Sequence, residues 1–319
     1  MIKQQEIKSN FEFIILFPNA LGDSMMSVQA IYKYFHCFNG SSVLIVTESK
    51  YETLYKKIFF NTEIEIDSYQ TIAYQGKLFK CKKLIDLNST EISKNILEET
   101  VCLDKYSFQF EMTRIITHQS ADQTSTNKAI DICDKVGSNI SLKHPAWVMD
   151  AELICAAFNQ PLIINEIESK KIIAVNKLKN ILCFPCGSND KKHWPKENWK
   201  GLIDAFKKDG LNVTVFLGID EKNYISYFSS ITSIEIDLKL EQLVAVYFNE
   251  DTLVVSNDCG PMHVAAFFEM PLVSIFGPTD EKVWFPYKQG QAIRSLKSDW
   301  PATDEVLKVI TGYTDFISN

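Results

Sequence analysis

Residues 256–263 read SNDCGPMH and follow an apolar run that ends at Val254-Val255. Such an apolar run is typical of a buried strand. Asn257 and Asp258 are residue types that cap helices, Gly260 permits a tight turn, and Pro261 suits a first helical turn. The N–H groups at a helix start, together with the helix dipole, attract a phosphate. The stretch therefore predicts a strand, an anion-binding turn and a helix.

A second apolar run, Leu272–Phe276, ends in a similar turn at Gly277-Pro278, where Thr279 offers a hydroxyl. Parallel strands bring their carboxyl ends to one edge of a sheet, and open α/β sheets bind ligands in the crevice at that edge. Two such turns in succession predict a ligand site there.

Strands and helices alternate along the carboxyl half, which indicates parallel α/β structure. The predicted strands there are Ile181–Phe184, Asn212–Leu217, Thr252–Ser256 and Leu272–Phe276. The predicted helices are Lys196–Lys208, Lys239–Phe248 and Pro261–Phe268.

The amino half has a similar but weaker pattern. Strands are predicted at Phe11–Phe17, Ser42–Thr47 and Leu84–Leu87, helices at Asp23–Phe38 and Ser49–Phe59, and mostly helix over 89–158. The polar stretch 166–180 separates a domain at 1–168 from one at 169–319, and a last helix at 301–318 is expected to pack back on the first domain.

The composition restricts the class of protein. With 319 residues, 46% hydrophobic and 23% charged, the chain is an ordinary globular protein. Its net charge of −7 argues against a nucleic-acid partner. No apolar run reaches the roughly 18–20 residues that span a bilayer, and the polar start lacks a signal-peptide core. A cytoplasmic protein without a transmembrane segment is expected.

The eight cysteines are scattered, which fits reduced thiols. Cys183 and Cys186 alone have a metal or redox spacing. Because no second pair follows, packing thiols are the favoured interpretation, and a zinc or redox site is the alternative. No Asp-x-Asp pair stands in a suitable loop, and no metal is expected.

Asp23 follows the first strand within the motif Phe17–Asp23. A carboxylate at this sheet edge can act as general base towards an acceptor hydroxyl, and Asn19 and Gly22 are placed on the acceptor side. The alternative is that Asp23 only caps its helix.

Three further groups of residues predict ligand contacts. In the loop 185–195, Gly187 and Ser188 let the backbone approach a phosphate, and Lys191 or Lys192 can neutralise it; an ordinary exposed loop is the alternative. Asp220 or Glu221 follows a strand and can accept hydrogen bonds from a ribose, or can cap a helix. His263 lies one turn into its helix, where it either contacts the ligand or is a core residue.

These segments, in this order, resemble the heptosyltransferase family, also called family-nine glycosyltransferases. The resemblance rests on three segments of the sequence: Leu21-Gly22-Asp23, Lys192–Pro195, and Asn257–Ala266 with Phe276–Thr279. It implies a GT-B fold of two Rossmann-like domains facing across a cleft, a nucleotide sugar such as ADP-heptose in the second domain, and an acceptor in the first. It also implies inverting, metal-independent transfer.

Residue by residue, the resemblance makes Asp23 the base, Lys192 the phosphate-contacting lysine and Asp220 the ribose contact, with Glu221 one position away. The diphosphate and sugar loop corresponds to Asp258, Cys259, Gly260, Pro261, Met262 and His263. Cys259 replaces the usual Ser or Thr, Phe17-Pro18 replace a Lys or Arg, and Gln29 replaces a Pro.

The leading hypothesis is a transferase that builds a lipopolysaccharide core or a related surface glycan, with its acceptor at the inner membrane surface. One alternative is a GT-B transferase with another nucleotide sugar, or with a protein or small-molecule acceptor. Another is a catalytically silent nucleotide-sugar-binding subunit, which would not need Asp23.

Overall fold

The computed structural model describes residues 9–75, 79–88, 90–110, 114–120, 125–129, 133–136, 139–142, 147–162, 178–187, 189–286, 290–295 and 300–313. The chain divides into two compact units, the amino-terminal unit Met1–Ile164 and the carboxyl-terminal unit Asn165–Asn319. The predicted domain boundary at residue 168 lies outside the described residues and stays a prediction.

The amino-terminal unit is built on β1 to β9 and α1 to α5. Its strands are β1 Ser9–Leu16, β2 Val43–Thr47, β3 Ile64–Ser68, β4 Phe79–Asp86, β5 Val101–Phe110, β6 Arg114–Ser120, β7 Ser125–Ala129, β8 Cys133–Val136 and β9 Asn139–Leu142. Its helices are α1 Leu21–Lys33, α2 Glu52–Ile58, α3 Tyr69–Gln75, α4 Glu91–Glu99 and α5 Trp147–Phe158.

The carboxyl-terminal unit alternates strands and helices throughout. Its strands are β10 Asn180–Phe184, β11 Asn212–Leu217, β12 Ser233–Ile236, β13 Thr252–Asn257, β14 Leu272–Phe276 and β15 Gln291–Arg294. Its helices are α6 Lys196–Lys208, α7 Lys222–Phe228, α8 Leu240–Tyr247, α9 Gly260–Phe267, α10 Glu281–Trp284 and α11 Thr303–Tyr313.

Each unit has a main parallel sheet, as the sequence predicted. Within the described residues the strand orders are β3-β2-β1-β4-β5-β6-β7 and β12-β11-β10-β13-β14-β15. The central strands are β1 and β4 in one sheet and β10 and β13 in the other, and their apolar side chains are buried. Strands that are covered on both faces need continuous apolar runs, which is why the sequence pattern identified them.

The prediction of mostly helix over residues 89–158 is wrong. Among the described residues of that range only α4 and α5 are helical; β5 pairs in parallel with β4, and β6 and β7 extend the first sheet by antiparallel pairing. Val101 and Leu103 on β5 are apolar and yet exposed, so residue polarity does not show which face of this strand is buried. Its structure depends on pairing with β4 and β6, which the local pattern does not encode.

Two smaller differences concern helix ends. The helix predicted to reach Phe38 ends at Lys33, and a short 3-10 helix follows at Phe35–Phe38. The last helix, α11, buries Val306 and Ile310 in the core of its own unit. Residues 314–319 lie outside the described part, and packing of this helix on the first domain stays a prediction.

Candidate functional site

The helix α9 begins directly after β13, whose six residues are all buried. Cys259 is the N-cap residue, with extended backbone, and Pro261 occupies the first turn. The first backbone amides of a helix have no acceptor within the helix, and the dipole makes this end favourable for an anion. The predicted strand, turn and helix are therefore confirmed at this edge.

The expectation that Asn257 or Asp258 caps α9 is wrong. The side-chain amide of Asn257 donates to the carbonyl oxygen of Pro185, and the Asp258 carboxylate accepts from Lys192. Both side chains are drawn away from the helix by partners more than 60 residues distant in the sequence. They join the turn before α9 to the loop that follows β10.

The ion pair between Lys192 and Asp258 is the main electrostatic feature of this edge. Lys192 Nζ lies 2.7 Å from Asp258 Oδ2, and the two side chains are 28% and 5% exposed. The ammonium also lies over the ring of Trp284, 5.6 Å from its centroid. The lysine offsets the buried carboxylate, so the helix start keeps its attraction for an anion, and the lysine side chain is still partly exposed.

The loop after β10 approaches α9 closely at Gly187. A Cβ atom added to Gly187 would lie 3.0 Å from the Cβ of Cys259, closer than nearly all real contacts. His193 Nε2 lies 2.9 Å from both the amide nitrogen and the carbonyl oxygen of Gly187, and its ring packs edge-on against Tyr224. His193 therefore holds the loop in place. Ser188 lies outside the described residues.

Besides Asp258, three residues of the predicted phosphate loop are buried: Cys259, Met262 and His263. Burial raises the pKa of Cys259 to about 12, so it is a neutral thiol, 3.2 Å from Ser256 Oγ. Burial lowers the pKa of His263 to about 4, so its ring is neutral at pH 7. Gly260 and Pro261 are partly exposed.

Several buried polar atoms of this edge have no hydrogen-bond partner within the described residues. They are Asn257 Oδ1, His263 Nδ1 and Thr279 Oγ1. Buried polar atoms of proteins are nearly always paired, so such a group needs an explanation. An ordered water molecule or a bound ligand can supply such a partner.

The two acidic residues after β11 differ in their surroundings. Glu221 Oε2 accepts from the backbone N–H of Gly218 at 2.8 Å, and burial raises the pKa of this carboxyl group. Asp220 is exposed. Glu221 thus closes its own turn, whereas the carboxylate of Asp220 faces solvent.

In the amino-terminal unit, Asp23 lies in the first turn of α1 and is exposed, while Ala20 is the N-cap residue. Gly22 stands beside it, partly buried. Asn19 Oδ1 accepts from Asn88 Nδ2 at 2.8 Å, which joins the turns after β1 and β4. The sequence analysis missed Asn88, although its position after a buried strand was an available signal. It included His193 in the motif Lys192–Pro195 without giving it a role.

Cys183 and Cys186 are buried, and burial raises the pKa of each thiol. Within the part of the chain that the structure describes, no group of three or more His, Cys, Asp or Glu side chains is arranged to hold a metal ion. No helix in that part is long and apolar enough to cross a bilayer.

Solved structures share this fold. E. coli heptosyltransferase WaaC with ADP-2-deoxy-2-fluoro heptose is 16% identical, with a TM-score of 0.65 over 95% of this chain and 99% of that one. A dodecameric iron-containing heptosyltransferase, TibC, in complex with ADP-D-beta-D-heptose, is 9% identical. Its TM-score is 0.51 over 91% of this chain and 64% of that one. The fold class is therefore the GT-B fold, as the resemblance implied.

The model of glycosyltransferase family 9 (heptosyltransferase) matches residues 125–309, which is more than half of the sequence, and the chain belongs to this family. Lipopolysaccharide heptosyltransferase 1 of Escherichia coli (strain K12) is 28% identical over 33% of this chain and 34% of that protein. Lipopolysaccharide heptosyltransferase 1 of Campylobacter coli is 22% identical over 62% of this chain and 57% of that protein. The matches thus span between a third and somewhat over half of these relatives.

Proposed function

We propose that the protein is an inverting glycosyltransferase that moves a heptose from ADP-heptose to a hydroxyl of a lipopolysaccharide core or a related surface glycan. The observation that carries this proposal is the start of α9 with the ion pair between Lys192 and Asp258. The similarity to lipopolysaccharide heptosyltransferase 1 and to a heptosyltransferase bound to ADP-2-deoxy-2-fluoro heptose supports this donor.

The diphosphate of the donor binds at the start of α9, at the backbone N–H of Gly260, because Pro261 has no N–H and the N–H of Met262 donates to the carbonyl oxygen of Cys259 at 3.1 Å. Lys192 reaches it by a small movement away from Asp258, because its side chain is the more exposed member of the pair. Asp220 accepts from the ribose hydroxyls, since Glu221 is already engaged by Gly218. The sugar or the phosphate supplies hydrogen-bond partners to His263 Nδ1 and Thr279 Oγ1, which lack partners within the described residues.

Asp23 acts as the general base. It takes the proton of the acceptor hydroxyl, whose oxygen attacks the anomeric carbon from the side opposite the diphosphate. The bond to the diphosphate breaks, and the charge of the leaving group is stabilised by the helix start and by the ammonium of Lys192. This arrangement can act without a divalent ion, so transfer should persist in a chelator such as EDTA.

The acceptor is held at the surface of a membrane. Phe60, after α2, is 80% exposed, and Lys56 and Lys57 on the last turn of α2 are exposed beside it in the sequence. An exposed aromatic ring next to ammonium groups fits an anionic lipid surface. Phe60→Ser should lower co-sedimentation with vesicles that contain anionic lipid; unchanged co-sedimentation would argue against this surface.

The first experiment is a thermal-shift comparison of ADP, UDP and GDP, because a ligand that binds only the folded protein raises the midpoint of unfolding. A larger shift with ADP supports the donor; a larger shift with UDP or GDP supports a GT-B transferase with another nucleotide sugar.

The second experiment is Asp23→Asn, with Glu63→Gln, an exposed acid of the same unit, as the matched control. Transfer should fall by roughly 10²–10⁴-fold while ADP affinity is kept, as expected for loss of a general base. A wild-type protein that binds ADP but transfers no sugar to any glycan acceptor would instead identify a silent binding subunit.

A further inference from the structure

Two cysteines face each other across neighbouring strands in the amino-terminal unit. Cys81 on β4 and Cys102 on β5 are direct partners in the parallel pairing. Their sulfur atoms lie 2.9 Å apart, and both are free thiols. Neighbouring strands lie about 4.8 Å apart, which falls within the Cα separation of about 4.4–6.8 Å that a disulfide spans. Closing the bond, about 2.05 Å long, needs a sulfur movement of less than an ångström.

The two thiols differ in access and in ease of ionisation. Cys102 is partly exposed, whereas Cys81 is only 5% exposed. The thiol of Cys81 donates to Cys102, which lowers the pKa of Cys102, and Lys105 adds a favourable positive charge. The same contact raises the pKa of Cys81, together with burial. Cys102 is thus the more accessible and the more readily ionised of the two thiols.

We propose that Cys81 and Cys102 form a reversible disulfide when the protein meets a peroxide. The thiolate of Cys102 attacks one peroxide oxygen, which breaks the O–O bond and leaves a sulfenic acid on Cys102 and one water. The sulfur of Cys81 then attacks Cys102 Sγ, and the second water leaves. Two electrons pass from the two thiols to the peroxide, and a dithiol such as dithiothreitol reverses the bond by exchange.

The disulfide would close the chain between Cys81 and Cys102 into a loop, and this loop contains a residue that contacts the predicted acceptor side. The segment between the two cysteines contains α4 and Asn88, which contacts Asn19. Ser93 of α4 donates to Asp86 at 3.0 Å, so this segment is already held against the end of β4. A cross-link between β4 and β5 would reduce the conformational entropy of the unfolded chain and so stabilise the folded state of this segment.

The test uses the full chain treated with hydrogen peroxide, then alkylated and digested without reductant. Mass spectrometry should find the peptides of Cys81 and Cys102 joined, with a loss of two hydrogens, before any other pair. Cys183 and Cys186 are the internal control, because they are closer in sequence but both buried. The oxidised protein should melt at a higher temperature than the reduced protein, and dithiothreitol should return the midpoint to its first value.

Two variants test the order of events. Cys81→Ser should leave Cys102 to accumulate as a sulfenic acid that dimedone labels, whereas Cys102→Ser should leave Cys81 unlabelled. The proposal is overturned if Cys102 becomes oxidised in the wild type without a joined peptide, if another cysteine pair joins first, or if peroxide leaves both residues reduced. The wild-type mapping decides the matter even where a variant fails to fold.

Discussion

Replacing Lys192 with methionine should destabilise the folded protein and weaken ADP binding. The side chain of Asp258 is 5% exposed, and Lys192 Nζ lies 2.7 Å from it, so the substitution leaves a buried carboxylate without its charge partner. Breaking a fully buried pair costs about 3–5 kcal/mol; because Lys192 is 28% exposed and water can enter, we expect about 2 kcal/mol. Loss of one charged hydrogen bond to the diphosphate should raise the Kd for ADP by about 10–100-fold.

A double-mutant cycle, with stability measured by urea unfolding, isolates the interaction free energy between Lys192 and Asp258. Asp258→Asn should cost less than Lys192→Met, because the lysine that it leaves behind can turn to solvent. The double variant should recover part of the loss, with a coupling free energy of about 1–2 kcal/mol. Lys200→Met, in the exposed pair with Asp204, is the matched control and should change stability by less than about 0.5 kcal/mol.

Additive losses in the double variant would refute the energetic argument for the pair. An unchanged Kd for ADP in Lys192→Met, with the fold intact by circular dichroism, would refute the proposed phosphate contact while leaving the ion pair as a structural feature.

Three further predictions follow from single sites. The pKa of His263 is lowered to about 4 by burial, so the unfolded chain takes up a proton between pH 6.5 and 4 while the folded protein does not. This should remove about 3 kcal/mol of stability as pH falls through that window, and the stability of His263→Gln, measured by urea unfolding at each pH, should lack that part of the pH dependence. Gly187→Ala places a Cβ 3.0 Å from the Cβ of Cys259, and should cost about 1–3 kcal/mol and weaken ADP binding by calorimetry; an unchanged Kd would contradict the close approach. Tyr69→Phe removes a buried 2.7 Å hydrogen bond to the Phe17 carbonyl and should cost about 1–2 kcal/mol in urea, whereas a loss below measurement error would mean that another donor replaces it.

The carboxyl-terminal unit was the more predictable part of the fold. The bounds predicted for α6, β11 and β14 are those that the structure has, because apolar runs between Gly, Pro and Asp residues encode buried strands and their ends locally. The short elements β12, α10 and β15 were missed, since four residues carry too little periodicity to identify an element.

The candidate site was predictable in its location and less so in its contacts. Lys192, Asp258 and the α9 turn were identified from turn chemistry and from the family resemblance. Their pairing was not, because it joins residues 66 apart in the sequence. The use of Glu221 to close its own turn likewise depends on backbone geometry that the residue types do not specify.

The sequence by itself determined two α/β units with parallel strands, and the strand, turn and helix at the edge of the second sheet where we propose that an anion binds, because the order of apolar runs and turn residues is a local property. The tertiary structure alone decided which side chains meet there: Lys192 with Asp258, Gly187 against Cys259, and Cys81 beside Cys102. It also decided the antiparallel extension by β6 and β7. These contacts join segments that are distant in the sequence. They stabilise the protein only after the chain has closed the loops between those segments, which costs conformational entropy.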